Sequence, residues 1–404
     1  MMKKIHFILF GISLLFYKSA NGAVTLNPRM GFAPPDTSKI FSDITDTIGL
    51  KKILNDSSLL ISIVGVPDTS ANSNQFPFPG RASLNDLQQD FFHQFILHRK
   101  SEAFKIIYQL RSLTYINLSH LDLKMLPPGL DNLQNLTFLK ICYTNLTQIP
   151  VEVSSLKKLK ELAMYTNNIK QIPDDFEWPD SLSLLELSEN DLKNIPKSLS
   201  KLTALTYISF RQNPNLSDNN CFKILSKIPS LESIDFNFTT IGMLDSEIGN
   251  LKQLTHLLIG GTKIKALPKE IAQLDKLQNL NLESLDSLDY NSLRYIGELK
   301  HLTMLTLDNC NLDSIPSCFR NLEELKTLTL FGNSLRSVPS CICHMPKLKM
   351  LVLTSNYITS LPDCLANLSN LKILSLTDNK IDKNSLDALR SQLPNCRIVF
   401  EEAK

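Results

Sequence analysis

The sequence lacks the motifs on which most enzymes depend. Its 404 residues contain no glycine-rich phosphate loop, no H-E-x-x-H zinc motif and no G-x-S-x-G nucleophile motif. Histidine is sparse, with seven residues, and His120 and His256 lie too far apart along the chain to act together. We therefore expect a protein that is not an enzyme, with no catalytic residue, no metal site and no cofactor.

An excess of charge of either sign is also missing. The chain has 42 Lys and Arg against 40 Asp and Glu, a net charge of +2. Nucleic-acid binding requires many cations on one surface, so the composition gives no reason to expect a nucleic-acid partner. Beyond the N-terminus, no segment is apolar and long enough to span a bilayer.

What the chain has instead is a repeat in which a proline follows Leu, Ile or Val every 23 residues. Pro268 fits the same register once two short insertions are allowed. The seven prolines at this spacing, in two runs, are Pro127, Pro150, Pro173, Pro196, Pro316, Pro339 and Pro362. A fixed period of this length indicates stacked, similar coils.

Each repeat unit has two parts. Apolar residues alternate at its start, which indicates a short strand with one buried face, and are later spaced by about three, which suits an irregular or helical return segment. The units from Leu205 and Leu277 are longer, with 26 and 25 residues, and we expect enlarged loops or a longer convex helix there. Twelve units begin at Leu113, Leu136, Leu159, Leu182, Leu205, Leu231, Leu254, Leu277, Leu302, Leu325, Leu348 and Leu371.

The ninth position of the unit is a second regular feature. Asparagine both donates and accepts hydrogen bonds, so a stacked column of asparagines can satisfy the backbone where each coil turns. Thr144, Thr239, Thr262 and Cys310 take this position in other units, and Leu121 and Leu285 break the column, which predicts looser turns at those two. The asparagines are Asn167, Asn190, Asn213, Asn333, Asn356 and Asn379.

The pattern L-x-x-L-x-L-x-x-N-x-L-x-x-[LIV]-P closely resembles the 23-residue class of the leucine-rich repeat family, over about residues 110–400. This class occurs in bacterial proteins, plant intracellular repeats and Ras-binding scaffolds. The resemblance implies an α/β fold, a right-handed horseshoe solenoid with a parallel sheet on its concave side. It also implies a protein-binding role, without naming the partner.

The two ends have their own signatures. Residues 1–22 have the basic start, apolar stretch and small-residue cleavage region of a Sec signal peptide, with cleavage after Gly22 or Ala23; an uncleaved anchor is the alternative. Residues 23–82 are a poorly defined segment and linker in which 59–64 has the composition of a strand, and 83–112 predict a helical cap. The solenoid spans 113–400, ending in a helix and a final strand over 396–400.

The eight cysteines all lie at or beyond Cys142, whereas animal extracellular relatives of this repeat type carry cysteine-rich caps. This difference favours a bacterial exported protein, in the periplasm, on the cell surface or outside the cell. Cys318, Cys341 and Cys364 share one repeat position, so stacked coils would align them within disulfide reach. Two readings remain: three free thiols, or a Cys318–Cys341 or Cys341–Cys364 bond.

The outward strand positions supply the candidate partner-binding residues. Exposed aromatics on a rigid sheet are typical of interface anchors, and acids along the same arc suggest a basic patch on the partner. The alternative is that strand propensity favours aromatics and that the acids only keep the surface soluble. The candidates are Tyr115, Phe138, Tyr143, Tyr165, Glu186, Glu189, Tyr207, Arg211, Asp235, Phe238, Glu283, Asp308 and Phe331, with Glu161 as a further acid on the same arc.

The sequence therefore predicts an exported, monomeric recognition module that binds another protein, with a host protein as one candidate partner. The concave face would dock a partner as a preformed rigid surface, which keeps the ordering cost of binding low. The alternative is an intracellular signalling scaffold whose N-terminus is an uncleaved anchor.

Overall fold

The structure is a computed structural model that describes residues 61–64, 104–105, 107–109 and 111–401. The predicted signal peptide, most of the segment 23–82 and most of the predicted helical cap lie outside the described residues. Among the described residues of the predicted cap, Phe104, Ile107 and Tyr108 are buried in the core of the solenoid.

The fourteen strands of the described residues belong to one parallel sheet and follow one another in chain order from β1 to β14. Strands β2 to β13 each begin two residues after the leucine that starts a predicted unit, and β1 and β14 fall within the two further predicted strands. The strands are β1 Ile61–Val64, β2 Tyr115–Ser119, β3 Phe138–Lys140, β4 Glu161–Ala163, β5 Leu184–Glu186, β6 Tyr207–Ser209, β7 Ser233–Asp235, β8 His256–Leu258, β9 Asn279–Asn281, β10 Met304–Thr306, β11 Thr327–Thr329, β12 Met350–Val352, β13 Ile373–Ser375 and β14 Arg397–Val399.

The strands pair without any shift in register, so equivalent repeat positions form straight columns across the sheet. Leu139 of β3 pairs with Leu162 of β4, and Leu162 pairs with Leu185 of β5. These central residues are fully buried, as are the leucines that start each unit. Because side chains alternate along a strand, the residues on either side of them face the opposite, concave surface.

The return segments are mostly short 3-10 helices, so the convex side contains little α-helix. A proline precedes six of these 3-10 helices, for example Pro150 before Val151–Ser155, because a residue without an N–H and with φ near −60° suits a helix start. The long units hold the predicted extra structure: α1 Cys221–Leu225 and the nine-residue Tyr290–Glu298. The last helix, α2, is Lys383–Gln392. The other 3-10 helices are Leu130–Asn132, Lys197–Lys201, Ser246–Asn250, Lys269–Gln273, Ser317–Asn321, Ser340–His344 and Asp363–Asn367.

The asparagine column works as predicted. The amide nitrogen of Asn213 donates to the carbonyl oxygens of Leu187 at 3.0 Å and Phe210 at 2.8 Å, and its oxygen accepts from the backbone N–H of Leu192 at 3.0 Å. One side chain thus joins three backbone groups, two of them in the preceding coil. Asn167, Asn190, Asn333, Asn356 and Asn379 make the equivalent bonds to the preceding coil.

The eighth position carries a feature that the sequence analysis missed. In every one of the twelve coils this residue has a positive φ, between 52° and 67°. Gly261 and Gly332 suit this conformation best, and Asn309 and Asp378 tolerate it; the other positions hold residue types that rarely adopt it. At Leu121 and Leu285, where we predict looser turns, the preceding residues His120 and Ser284 adopt the same left-handed conformation as the rest.

Neither reading of the three aligned cysteines matches the structure. The bond joins Cys343 to Cys364, whereas Cys341 is a buried free thiol and Cys318 is a half-buried one. Alignment in one column placed Cys364 correctly but ignored Cys343, two residues further along the 3-10 helix Ser340–His344. The bond links the return segments of coils ten and eleven.

Candidate functional site: the concave strand face

The first two strands of the solenoid carry a set of stacked aromatic side chains. The rings of Tyr115 and Phe138 are nearly parallel, with centroids 4.6 Å apart. They occupy the same repeat position on paired strands, and a strand spacing of about 4.8 Å places such rings face to face. Each ring therefore holds its neighbour in place.

A second aromatic group lies beside the first, where the strands end. His120 stacks on Tyr143 at 4.5 Å, and Tyr143 meets Tyr165 edge to face at 5.5 Å. Lys140 completes the group, with Nζ 5.1 Å from the centre of the Tyr165 ring. We refer to Tyr115, Phe138, His120, Tyr143 and Tyr165 together as the aromatic patch.

The aromatic patch includes predicted and unpredicted members. Tyr143 is the most accessible of the predicted aromatics, at 38% exposure. His120 and Lys140 were not predicted. Both occupy outward repeat positions next to predicted aromatics, and this placement could have identified them from the sequence. The left-handed conformation of Tyr143 belongs to the eighth position of every coil and does not distinguish this residue.

The next strands place carboxylates among neutral side chains. The hydroxyl of Tyr207 donates to Oε2 of Glu186 at 2.9 Å, and the N–H of Ser188 donates to Oε1 at 3.0 Å. Burial raises the pKa of the Glu186 carboxyl, and these hydrogen bonds offset part of the rise. Burial also raises the pKa of the Tyr207 hydroxyl, so Tyr207 remains a hydrogen-bond donor to the carboxylate.

Arg211 and Asp235 occupy the middle of the face. The guanidinium of Arg211 lies 5.3 Å from the centre of the Phe238 ring. Asp235 accepts from the N–H of Asn237 at 2.8 Å and is only 7% exposed, so it is less accessible than its outward position predicts. Burial raises its pKa to about 7, although Arg211 favours the charged form.

The remaining candidates lie further along the face. Oδ1 of Asp308 accepts from the N–H of Phe331 at 2.8 Å, and burial raises the pKa of Asp308 to about 7. Glu283 packs against Gly260: a Cβ atom added at Gly260 would lie 2.5 Å from the Cγ atom of Glu283. Glu189 accepts from the hydroxyl of Thr166 at 3.0 Å. Four of the thirteen candidates thus belong to the aromatic patch, and the others extend further along the face. We call the polar residues among these others the polar strip: Glu186, Glu189, Tyr207, Arg211, Asp235, Glu283 and Asp308.

Glu161 on β4 has the least satisfied carboxylate of the face. Its Oε2 is buried without a hydrogen-bond partner within the described part of the chain. Burial raises its pKa, with a smaller opposing effect from Lys160. Its strand neighbours are Phe138 and Leu184, and neither side chain can donate a hydrogen bond.

A search of the described residues finds no group of three or more His, Cys, Asp or Glu side chains arranged to hold a metal ion. The same residues contain no helix with the length and apolarity to cross a membrane.

The model of the leucine-rich repeat region matches residues 96–239 and 277–399, more than half of the chain. This chain belongs to the leucine-rich repeat family. Proteins of this family are generally scaffolds for protein interactions. The residues between the two matches, 240–276, correspond to the end of coil six and to coil seven. No curated protein matches the sequence.

Solved structures show the same fold in other members of the family. A Leptospira interrogans leucine-rich repeat protein is 26% identical, with a TM-score of 0.53, and the match covers 73% of this chain and 86% of that one. An internalin from Listeria monocytogenes is 24% identical, with a TM-score of 0.62, covering 73% and 84%. The plant peptide hormone receptor RGFR1, in complex with RGF2, is 28% identical, with a TM-score of 0.54, covering 72% and 52%.

Proposed function

We propose that this leucine-rich repeat protein is an exported, non-enzymatic recognition module that binds another protein on its concave strand face. The observation that carries the proposal is the aromatic patch. Its rings are fixed by their mutual stacking and by the rigid sheet beneath, and Tyr143 reaches solvent. Rigid aromatics lose little conformational entropy on binding, which is why they are frequent energetic hot spots.

One of the structural neighbours supports a protein partner. RGFR1, which resembles this chain over most of its solenoid, was solved with RGF2 bound. The polar strip that continues from the aromatic patch provides hydrogen-bonding groups such as Glu186, which interfaces use for specificity. A monomer that presents this face is sufficient for the function.

Export is the part of the proposal that concerns the N-terminus. The basic and apolar start of the chain is that of a signal peptide. The bond between Cys343 and Cys364 is consistent with an oxidising compartment, since structural disulfides are rare in the cytosol. N-terminal sequencing of the mature protein tests this: a chain beginning at Ala23 or Val24 supports export, and an intact Met1 favours the intracellular scaffold.

Site-specific photo-crosslinking tests the binding face. A benzoyl-phenylalanine at position 143 should crosslink the partner when the mature protein is added to its natural extracellular milieu. The matched control is position 290, because Tyr290 has nearly the same exposure, 39% against 38% for Tyr143, but lies on a return segment. A crosslink from position 290 and none from position 143 would move the interface away from the concave face.

A further inference from the structure

The carboxylate of Glu161 is an acceptor that the fold leaves unsatisfied. Its Oε2 is shielded from water and receives no hydrogen bond from any described residue. An unsatisfied buried acceptor destabilises a protein, and most such groups in native structures have a specific explanation. The neighbours of Glu161 across the sheet, Phe138 and Leu184, supply no donor. A donor from outside the chain would satisfy the carboxylate.

The surroundings of Glu161 suit a cation. On one side is Phe138, whose far face is covered by the stacked ring of Tyr115, while its strand neighbour on the near side is Glu161. Two strands further on, Tyr207 holds Glu186 in place through its hydroxyl. Carboxylates next to aromatic faces attract ammonium and guanidinium groups by charge and by cation–π interaction.

Glu161 and Glu186 lie on adjacent strands, two residues apart in register. Glu186 pairs across the sheet with Ala163, whose other neighbour is Lys140. Ala163 is only 1% exposed, so its methyl group is covered by the surrounding side chains. The amine of Lys140 is placed over the ring of Tyr165, at 5.1 Å from its centre.

The charge of the whole face agrees with its local chemistry. The chain overall has slightly more cations than acids, 42 against 40. At the outward positions three, five, seven and eight of coils three to nine this balance is reversed, because Arg211 is the only Lys or Arg there. The acids at these positions are Glu161, Glu186, Glu189, Asp235, Glu283 and Asp308. A partner segment that crosses these strands meets a negative potential, which favours basic sequences.

We propose that Glu161 and Glu186 bind a lysine or arginine side chain of the partner, with the rings of Phe138 and Tyr207 on either side. The proposal rests on the proposed function and specifies the chemistry of the partner: an extended segment with a cationic side chain. The ammonium or guanidinium N–H groups donate to Glu161, which rotates toward the concave face.

Binding of a short peptide tests the proposal directly. The probe is a fluorescein-labelled dodecapeptide of alternating arginine and serine, and its matched control carries citrulline, the uncharged isostere, in place of arginine. A lysine version is the third arm. Fluorescence anisotropy with the full mature protein should give at least tenfold tighter binding of the arginine and lysine peptides than of the citrulline peptide. Equal binding of the charged and citrulline peptides would overturn the proposal.

The variant Glu161→Gln locates the site. It keeps the size of the side chain and removes the charge, and we expect it to weaken binding of the arginine peptide at least tenfold. The control variant is Glu177→Gln, an exposed acid on the return segment of the same coil, for which we expect less than a twofold change. If both variants weaken binding equally, the peptide is responding to overall charge and the assigned site is wrong.

The same variant separates this inference from the proposed function. A partner that crosslinks at position 143 and binds Glu161→Gln as tightly as the wild-type protein would leave the binding face in place but exclude the cation site. Loss of the charge should also raise Tm, because the folded state no longer contains an unsatisfied carboxylate. A lower Tm would show that Glu161 is needed for folding, which contradicts the assignment.

Discussion

Coils three to five and ten to twelve carry the asparagine of the ninth position, whereas coils six to nine lack it. The regular coils carry the asparagine that bonds to the preceding coil. In coils six and seven a threonine takes its place and bonds only within its own coil, as Thr262 does to the carbonyl oxygen of Ile259 at 2.8 Å. The middle coils also contain Asp235 and Asp308, carboxylates whose burial raises their pKa to about 7.

This difference separates residues that serve the fold from residues that do not. The asparagines of the regular coils satisfy buried backbone groups and stabilise the stack. The middle coils give up those bonds and place acids where burial disfavours their charge. Residues that destabilise the fold and are nevertheless present are candidates for a role other than folding. The segment 240–276, which the family model does not match, lies in the same region.

The first prediction compares the two kinds of ninth-position residue. Asn213→Ala removes three hydrogen bonds and leaves two buried backbone groups without a partner, the Phe210 carbonyl oxygen and the Leu192 N–H, because the Leu187 oxygen still accepts from Asn190. We therefore expect a loss of about 4 kcal/mol in the free energy of unfolding. Thr262→Ala leaves one carbonyl oxygen without its bond and should lower it by about 1 kcal/mol. Urea unfolding followed by circular dichroism measures both. Equal losses would mean that the asparagine column does not distinguish the regular coils.

The second prediction concerns the crosslink of the regular C-terminal coils. The double variant Cys343→Ser, Cys364→Ser opens a loop of 21 residues, which should lower the free energy of unfolding by about 3 kcal/mol by the chain-entropy relation. The control is Cys318→Ser, which alters a half-buried free thiol. Thiol titration of the unfolded, unreduced wild-type protein should find six free thiols, and eight after reduction; eight without reductant would contradict the bond.

The third prediction concerns the turn of coil seven. Gly261 has φ of 66°, and an added Cβ would lie 2.5 Å from the ring of Phe238. Gly261→Ala should therefore lower the free energy of unfolding by about 2 kcal/mol. Gly242→Ala is the matched control, because its Cβ would meet nothing closer than 3.5 Å and its φ is not positive. If Gly261→Ala leaves the free energy of unfolding unchanged, the turns of the middle coils are free to rearrange.

The fourth prediction uses pH to examine the buried acids of the middle coils. Because the pKa of Asp235 is about 7 in the folded protein and about 3.9 in an unfolded chain, the folded state binds the proton more tightly. The stability linked to that proton is fully present below about pH 4 and is lost as the pH rises through 7. Asp235→Asn should therefore raise the free energy of unfolding by about 1 kcal/mol at pH 8, because the amide is never charged.

Thermal melting of Asp235→Asn and of the wild-type protein at pH 4 and pH 8 measures this effect. The difference in Tm should be much smaller at pH 4, where the carboxyl is neutral in the folded state and about half ionised in the unfolded state. The same shift in Tm at both pH values would show that packing, and not charge, is responsible.

The sequence was sufficient to predict the strands and the asparagine column. Every strand from β2 to β13 begins two residues after a predicted leucine, because a fixed period forces equivalent residues into equivalent places. The candidate site was less predictable. The outward residues were identified, but the pairing of Tyr207 with Glu186 and the stacking of His120 on Tyr143 join neighbouring coils. These contacts depend on side-chain rotamers that a repeat pattern does not specify.

The order of leucines, prolines and asparagines along the chain therefore determined the coil, its period and the direction in which each strand buries its side chains, since all three follow from local alternation and repetition. Tertiary packing decided the rest. It joined Cys343 to Cys364, imposed a left-handed conformation on twelve turn residues, and left one oxygen of Glu161 without a donor. These outcomes depend on what stands in the next coil, and sequence neighbours carry no information about a contact made 20 residues away.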